Sequence, residues 1–155
     1  MIPNSNRPIL SICLTCRDNR ESEKNDIRGG SRLAQALFDR LESHKDLPFD
    51  LRGVSCMSQC KRPCAATISS RDRFSYMFGD LDPEKTDNID ALLELPALYI
   101  AASEGFLRRR ERPLPLQSRI VARIPPSISS STSVSYTHLR AHETKANLVC
   151  RLLLE

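Results

Sequence analysis

Thiols are the groups in this chain best placed to do chemistry. Cys13 and Cys16 flank two residues, and Cys56, Cys60 and Cys64 follow one another with three residues between each. Soft thiolates are the preferred ligands of iron-sulfur clusters and of zinc, which take four sulfurs in tetrahedral geometry at each metal. Two spaced pairs, each where a strand runs out into a loop, can converge on one centre. The bland alternative is that these are small buried residues, as free cysteine often is. That alternative weighs most for Cys64, at the start of a predicted strand. A third reading is dithiol redox at Cys13-Leu14-Thr15-Cys16, where a helix N-terminus would lower a thiol pKa. About a dozen residues separate Cys16 from the next predicted helix, which counts against it.

Fewer other groups compete. Lys61 and Arg62, between two cysteines, would stabilise anionic sulfurs and tune a cluster's potential, or else sit in a solvated turn. Asp80 and Asp82 could ligate a hard metal, although bonds to the backbone in the turn before Pro83 are the simpler use. Arg108-Arg109-Arg110-Glu111-Arg112 could dock an acidic partner or phosphate, or be a solvated charged face. No Gly-rich phosphate loop, Ser/His/Asp set or pair of catalytic carboxylates is visible, so the composition favours a carrier or binding protein over an enzyme.

The elements that must position the thiols follow from periodicity. Residues 9–13 form a branched apolar run after Pro8, a buried strand that delivers Cys13. After a polar loop, Gly29-Gly30 breaks the chain and Ser31 can cap a helix over 31–43, with Leu33, Ala34, Leu37, Phe38 and Leu41 on one face. Residues 49–56 alternate at period two and end in Cys56. Residues 64–70 and 73–78 read as a hairpin, and Pro63 before it is a candidate for a cis bond. Asp87 or Asn88 can cap a second helix carrying Ile89, Leu92, Leu93, Tyr99 and Ala102, which Pro96 should kink or restart. This order predicts an α/β thioredoxin-like sandwich, a mixed sheet of about four strands packed by two helices. Residues 108–126 read as an extended C-terminal strap.

With 155 residues and 40% apolar composition the chain can bury one core. A net charge of +4, with acids interspersed among the bases, gives no electrostatic footprint for nucleic acid. No apolar run suits a bilayer span and the N-terminus lacks a secretory apolar segment, so the expectation is a cytoplasmic protein with no membrane association. Its six cysteines would then be reduced thiols.

Residues 134–155 resemble one reading frame of the transposase adaptor used in short-read library preparation, followed by the adjoining flow-cell primer. The resemblance implies an artefactual, disordered tail at 134–155, a low-complexity segment at 127–133 and a metal-binding domain at 1–126. It removes His138, His142 and Cys150 as ligands, leaving His44 as the remaining histidine.

Cys13-Leu14-Thr15-Cys16, Arg28-Gly29-Gly30-Ser31, the run from Cys56 to Cys64, the segment from Tyr76 to Pro83 and Arg110-Glu111-Arg112-Pro113 together resemble an uncharacterised bacterial family of predicted metal-binding proteins, a domain of unknown function. The resemblance runs from about Ile9 to Pro126, where members of that family end, and carries an association with cobalamin-related genes. The cysteine pattern is also similar to that of thioredoxin-like [2Fe-2S] ferredoxins. That likeness implies Cys13, Cys16, Cys56 and Cys60 as ligands of a [2Fe-2S] cluster serving electron transfer or cluster and metal handling, with an unknown redox or metal-handling protein as partner. The chain departs by its closer first pair and by Cys64, which leaves open ligand exchange with Cys64 as a further metal ligand. Zinc or cobalt in place of the cluster, and a dithiol oxidoreductase using Cys13 and Cys16, stay as alternatives.

Overall fold

The computed structural model describes residues 6–22, 26–42 and 47–127. His44 and the adaptor-like tail lie outside the described residues. Strand β1 (Ile9–Cys13), helix α1 (Gly29–Leu41) and strand β2 (Asp50–Val54) come first, with β1 and β2 parallel and Leu10 beside Leu51. Strands β3 (Ala66–Ser69) and β4 (Ser75–Phe78) form the expected antiparallel hairpin, and β3 runs antiparallel to β1. Helix α2 (Thr86–Ala101) follows, and β5 (Ile120–Ile124) closes the sheet against β4 in the order β2-β1-β3-β4-β5. The first four strands have the order and directions expected of a thioredoxin-like sandwich.

The fifth strand corrects the sequence reading, which took this stretch for part of a strap. Three short helical turns at Ser103–Gly105, Arg109–Glu111 and Leu114–Leu116 precede β5. They bring the chain back along β4, where β5 pairs with a register shift at Met77/Phe78.

Alternation decides the core. Leu10, Ile12, Ala66, Ile68, Tyr76 and Phe78 point to one face of the sheet and are buried there with Leu33 and Leu37 of α1 and Leu92 and Leu95 of α2. Full burial of each such leucine is worth about 1.5–3 kcal/mol, so packing rather than helix propensity fixes both helices. Helix α2 accordingly runs on through Pro96, itself buried, instead of restarting there. Tyr76 and Tyr99 keep their hydroxyls satisfied inside: Leu107 N–H donates to Tyr76 Oη at 2.7 Å, and Tyr99 Oη donates to the Phe74 carbonyl at 2.8 Å.

The charged 108–112 run divides. Arg112 is buried, its guanidinium 5.6 Å from the centroid of the Tyr76 ring and bonded to the Leu107 carbonyl, while Arg108, Arg109 and Arg110 stay in solvent. No helix among the described residues is long and apolar enough to cross a membrane.

Candidate metal centre

The two thiol segments meet at one end of the sheet because β1 and β2 are parallel neighbours whose C-terminal ends lie side by side. Cys13 is the last residue of β1 and lies beside Val54, the last of β2. Leu14 N–H donates to the Val54 carbonyl at 2.9 Å, so the Cys13–Cys16 loop and the loop leading to Cys56 start together. Cys64 arrives from a third direction. It precedes β3 and exchanges two backbone bonds with Leu81, each of 3.2 Å, while Cys13 N–H donates to the Ala65 carbonyl at 3.0 Å. The cis peptide bond joins Pro63 to Cys64, one bond beyond the Pro63 isomer expected from the sequence.

Helix α1 also reaches this end, which overturns the argument from sequence separation. Its N-terminus folds back so that Gly30 N–H donates to the Cys16 carbonyl at 3.1 Å. A Cβ on Gly30 would stand 1.9 Å from the Cys13 carbonyl oxygen, so only glycine permits the approach. The helix begins two residues earlier than expected, and Ser31 does not cap it: Ser31 Oγ donates instead to the Leu14 carbonyl at 3.0 Å. Glu21, eight residues upstream, accepts the Gly29 N–H at 2.9 Å and supplies the missing acceptor. Burial opposes ionisation of Glu21, but this bond, others from the backbone and the charge of Arg32 hold its carboxyl below the ordinary range.

The inner thiols are shifted in opposite directions by their surroundings. Cys13 and Cys16 are each 2% exposed. Burial pushes the Cys13 thiol up, yet hydrogen bonds from the Cys16 thiol, the Thr15 hydroxyl and the Thr15 and Met57 backbones outweigh it and leave Cys13 below the usual thiol range. Cys16 is pushed up to about 11 by burial, only partly offset by the Ala65 N–H, and the charges of Cys13 and Cys60 raise it further. Cys64, wholly buried, rises to about 12 through burial and then the charges of Cys16 and Asp18. Cys56 and Cys60 are exposed, and Ser58 N–H donates to Cys56 Sγ at 3.3 Å.

Five thiols thus gather at one end in two tiers: Cys13, Cys16 and Cys64 inside, Cys56 and Cys60 on a loop above. The donor chemistry fits a soft metal centre, since sulfur predominates, the Thr15 hydroxyl lies 3.7 Å from Cys13 Sγ and the Ser58 N–H already donates to Cys56 Sγ. As they stand, no three Cys, His, Asp or Glu side chains among the described residues are close enough to hold one ion.

The surrounding charges are mostly braces. Arg62 Nε donates to Asp80 Oδ2 at 2.7 Å and its Nη1 to the Ile120 carbonyl at 3.1 Å, so it ties the thiol loop to β5 rather than facing a sulfur. Asp82 receives a two-pronged bond from Arg20 at 2.8 and 2.9 Å and the Glu84 N–H at 3.0 Å, a turn role rather than a hard-metal one. Arg32 Nη2 bonds both oxygens of Asp18 at 2.7 Å. Neither this Asp18–Arg32 pair nor Glu21 as a cap is legible in the sequence, because their spacings have meaning only once the loop folds back.

Fold and site together define a small α/β domain with a thiol cluster at the end of a mixed sheet. The chain belongs to the family described as "Protein of unknown function (DUF1636)", whose model matches residues 10–126. No curated protein matches it. Among solved structures, one titled a thioredoxin-like [2Fe-2S] ferredoxin from Aquifex aeolicus shares 14% identity, covering 80% of this chain and 99% of that one, with a TM-score of 0.48. The architecture described above stands on strand order and direction, not on that likeness.

Proposed function

We propose that this protein holds a [2Fe-2S] cluster on Cys13, Cys16, Cys56 and Cys60 and works as a small electron carrier or a cluster or metal handling protein. The observation that carries the reading is the convergence of two distant thiol segments at one sheet end: Leu14 N–H donates to the Val54 carbonyl and the Thr15 hydroxyl to the Ser55 carbonyl, so the loop between Cys13 and Cys16 is bonded to the residues that lead into Cys56. The rigid inner pair supplies a fixed half of the site. Cys56 and Cys60, on an exposed loop, close down onto it, and Cys64 stays behind them as a buried reserve thiol.

When bound, such a cluster would supply one-electron chemistry with a potential set by its ligands, the hydrogen bonds to sulfur and its exposure. The chain's part is to orient four thiolates, donate N–H groups to them and keep water from the inner pair. The test is an anaerobic visible spectrum with iron, zinc and acid-labile sulfide assays. Broad visible absorbance with about two irons and two sulfides per chain supports the cluster. A colourless protein with one zinc moves the answer to a soft-metal binding module.

One observation favours a second reading, dithiol oxidoreductase chemistry: the N-terminus of α1 lies against the Cys13–Cys16 loop, with Gly30 N–H donating to the Cys16 carbonyl at 3.1 Å. Burial of both sulfurs counts against it. Cys56→Ala separates the two, because a dithiol enzyme would keep its reactivity whereas a four-thiolate site would lose its metal.

A further inference from the structure

We propose that the thiol end of the domain is a docking surface for an acidic protein partner, with Arg17, Arg28, Arg52 and Lys61 as a cationic rim around Leu14 and Met57. This deepens the reading above and rests on it, since a carrier must hand its electron or metal to another protein at the end where its thiols lie.

All four cations are exposed. Arg17 follows Cys16 and Lys61 follows Cys60 in the chain. Arg28 Nη1 donates to the Thr15 carbonyl at 3.1 Å, which lays that side chain along the first thiol loop. Arg52 Nε donates to Ser11 Oγ at 2.8 Å, and Ser11 shares a sheet face with Cys13.

The pairing of charges at this end is lopsided. Its carboxylates are already paired: Asp18 with Arg32 and Arg20, Asp80 with Arg62, Asp82 and Glu84 with Arg20, and Glu21 with backbone N–H groups. Among the described residues none of the four rim cations has a carboxylate partner within 4.0 Å, so positive charge is what faces outward. At its centre Leu14 and Met57 are half-buried against the core, an apolar spot inside a charged rim. That is the layout of a protein interface steered by charge. A nucleic acid would call for aromatic side chains or a long cationic stripe, and no aromatic residue occupies the two thiol loops.

The probe is a fluorescent acidic peptide, three repeats of Glu-Glu-Leu-Glu, titrated by anisotropy into the full chain with and without metal, at ionic strengths from about 0.02 to 0.2 M. R17E/K61E is compared with R109E/R110E, which changes net charge equally but lies outside the thiol loops. We expect affinity to fall with salt, to drop about tenfold in R17E/K61E and to change less than about twofold in R109E/R110E. Equal losses in both variants, or none in R17E/K61E, overturn the docking surface. Should R17E/K61E fail to fold by circular dichroism, R17Q/K61Q gives the same comparison with R109Q/R110Q as its control. The metal assays on the same samples keep the two proposals apart. An intact visible spectrum with peptide affinity unmoved in R17E/K61E removes the docking surface alone, whereas a metal-free, colourless protein removes the carrier reading while the titration still decides the surface.

Discussion

Replacing Gly30 with alanine should damage the thiol end more than any other single methyl group added to the domain's glycines. The new Cβ would lie 1.9 Å from the Cys13 carbonyl oxygen, 3.0 Å from its carbon and 3.2 Å from the Cys16 nitrogen, all backbone atoms that cannot rotate aside. An ordinary carbon-to-oxygen contact needs more than an ångström of extra room, so α1 must move off the loop and the Gly30 N–H bond to Cys16 is lost. Overpacking costs about 1–3 kcal/mol and the hydrogen bond about 0.5–1.5 kcal/mol, together roughly 2–4 kcal/mol. With a urea slope of about 2 kcal/mol per molar, the midpoint should fall by about 1–2 M. Gly53→Ala is the control: its nearest neighbours are all in the Leu14 side chain, Cδ1 at 2.6 Å and Cδ2 and Cγ at 2.8 Å, which can turn away, and the cost should stay under about 1 kcal/mol. Gly29→Ala, meeting the Arg32-bound Asp18 side chain at 2.6 Å, should fall between. A Gly30→Ala midpoint within error of the Gly53→Ala midpoint would refute the close approach of helix and thiol loop.

Three further outcomes follow from the geometry. Arg20 hydrogen-bonded to Asp82 holds that carboxyl at about 2, so its contribution is complete above the ordinary carboxylate range and disappears as pH falls from about 4 through 2. Arg20 is well exposed, so solvent screens the pair and the effect is small; Asp82→Asn should flatten the urea midpoint against pH across that window, and curves parallel to wild type would count against it. Tyr76→Phe leaves the buried Leu107 N–H without its 2.7 Å acceptor and should cost about 1–3 kcal/mol; a loss below about 0.5 kcal/mol would show that Leu107 finds another partner. In metal-free reduced protein, peptide-resolved alkylation should modify Cys56 and Cys60 well before Cys13, Cys16 and Cys64, and early labelling of Cys13 would contradict its burial and favour dithiol chemistry.

Where the local pattern was strong, the sequence was a sufficient guide. The branched run after Pro8, the apolar stripe from Leu33 to Leu41 and the alternation around Arg71 and Asp72 each predicted an element that the structure contains. Boundaries slipped where a distant group decided them, as at α1, whose start depends on Glu21 and on contact with the Cys13–Cys16 loop. Strand β5 does not stand out because Ile120–Ile124, though rich in branched residues, follows a run of arginines and prolines and ends at Pro125-Pro126, and it becomes a strand by pairing with β4. Arg112 looked solvated because burying a guanidinium requires Tyr76 and Leu107, both remote or unremarkable in sequence.

Thiol identity and spacing, the helix and strand periods and the glycine break before α1 are local properties, carried by the residues themselves, and the sequence determines them alone. Which thiols lie inside, which carboxylates are taken by arginines, and that the start of α1 rests on Cys16 depend on segments far apart in the chain. Only the tertiary structure decides those, because burial, hydrogen bonding and charge pairing act through space and have no value until the partner arrives.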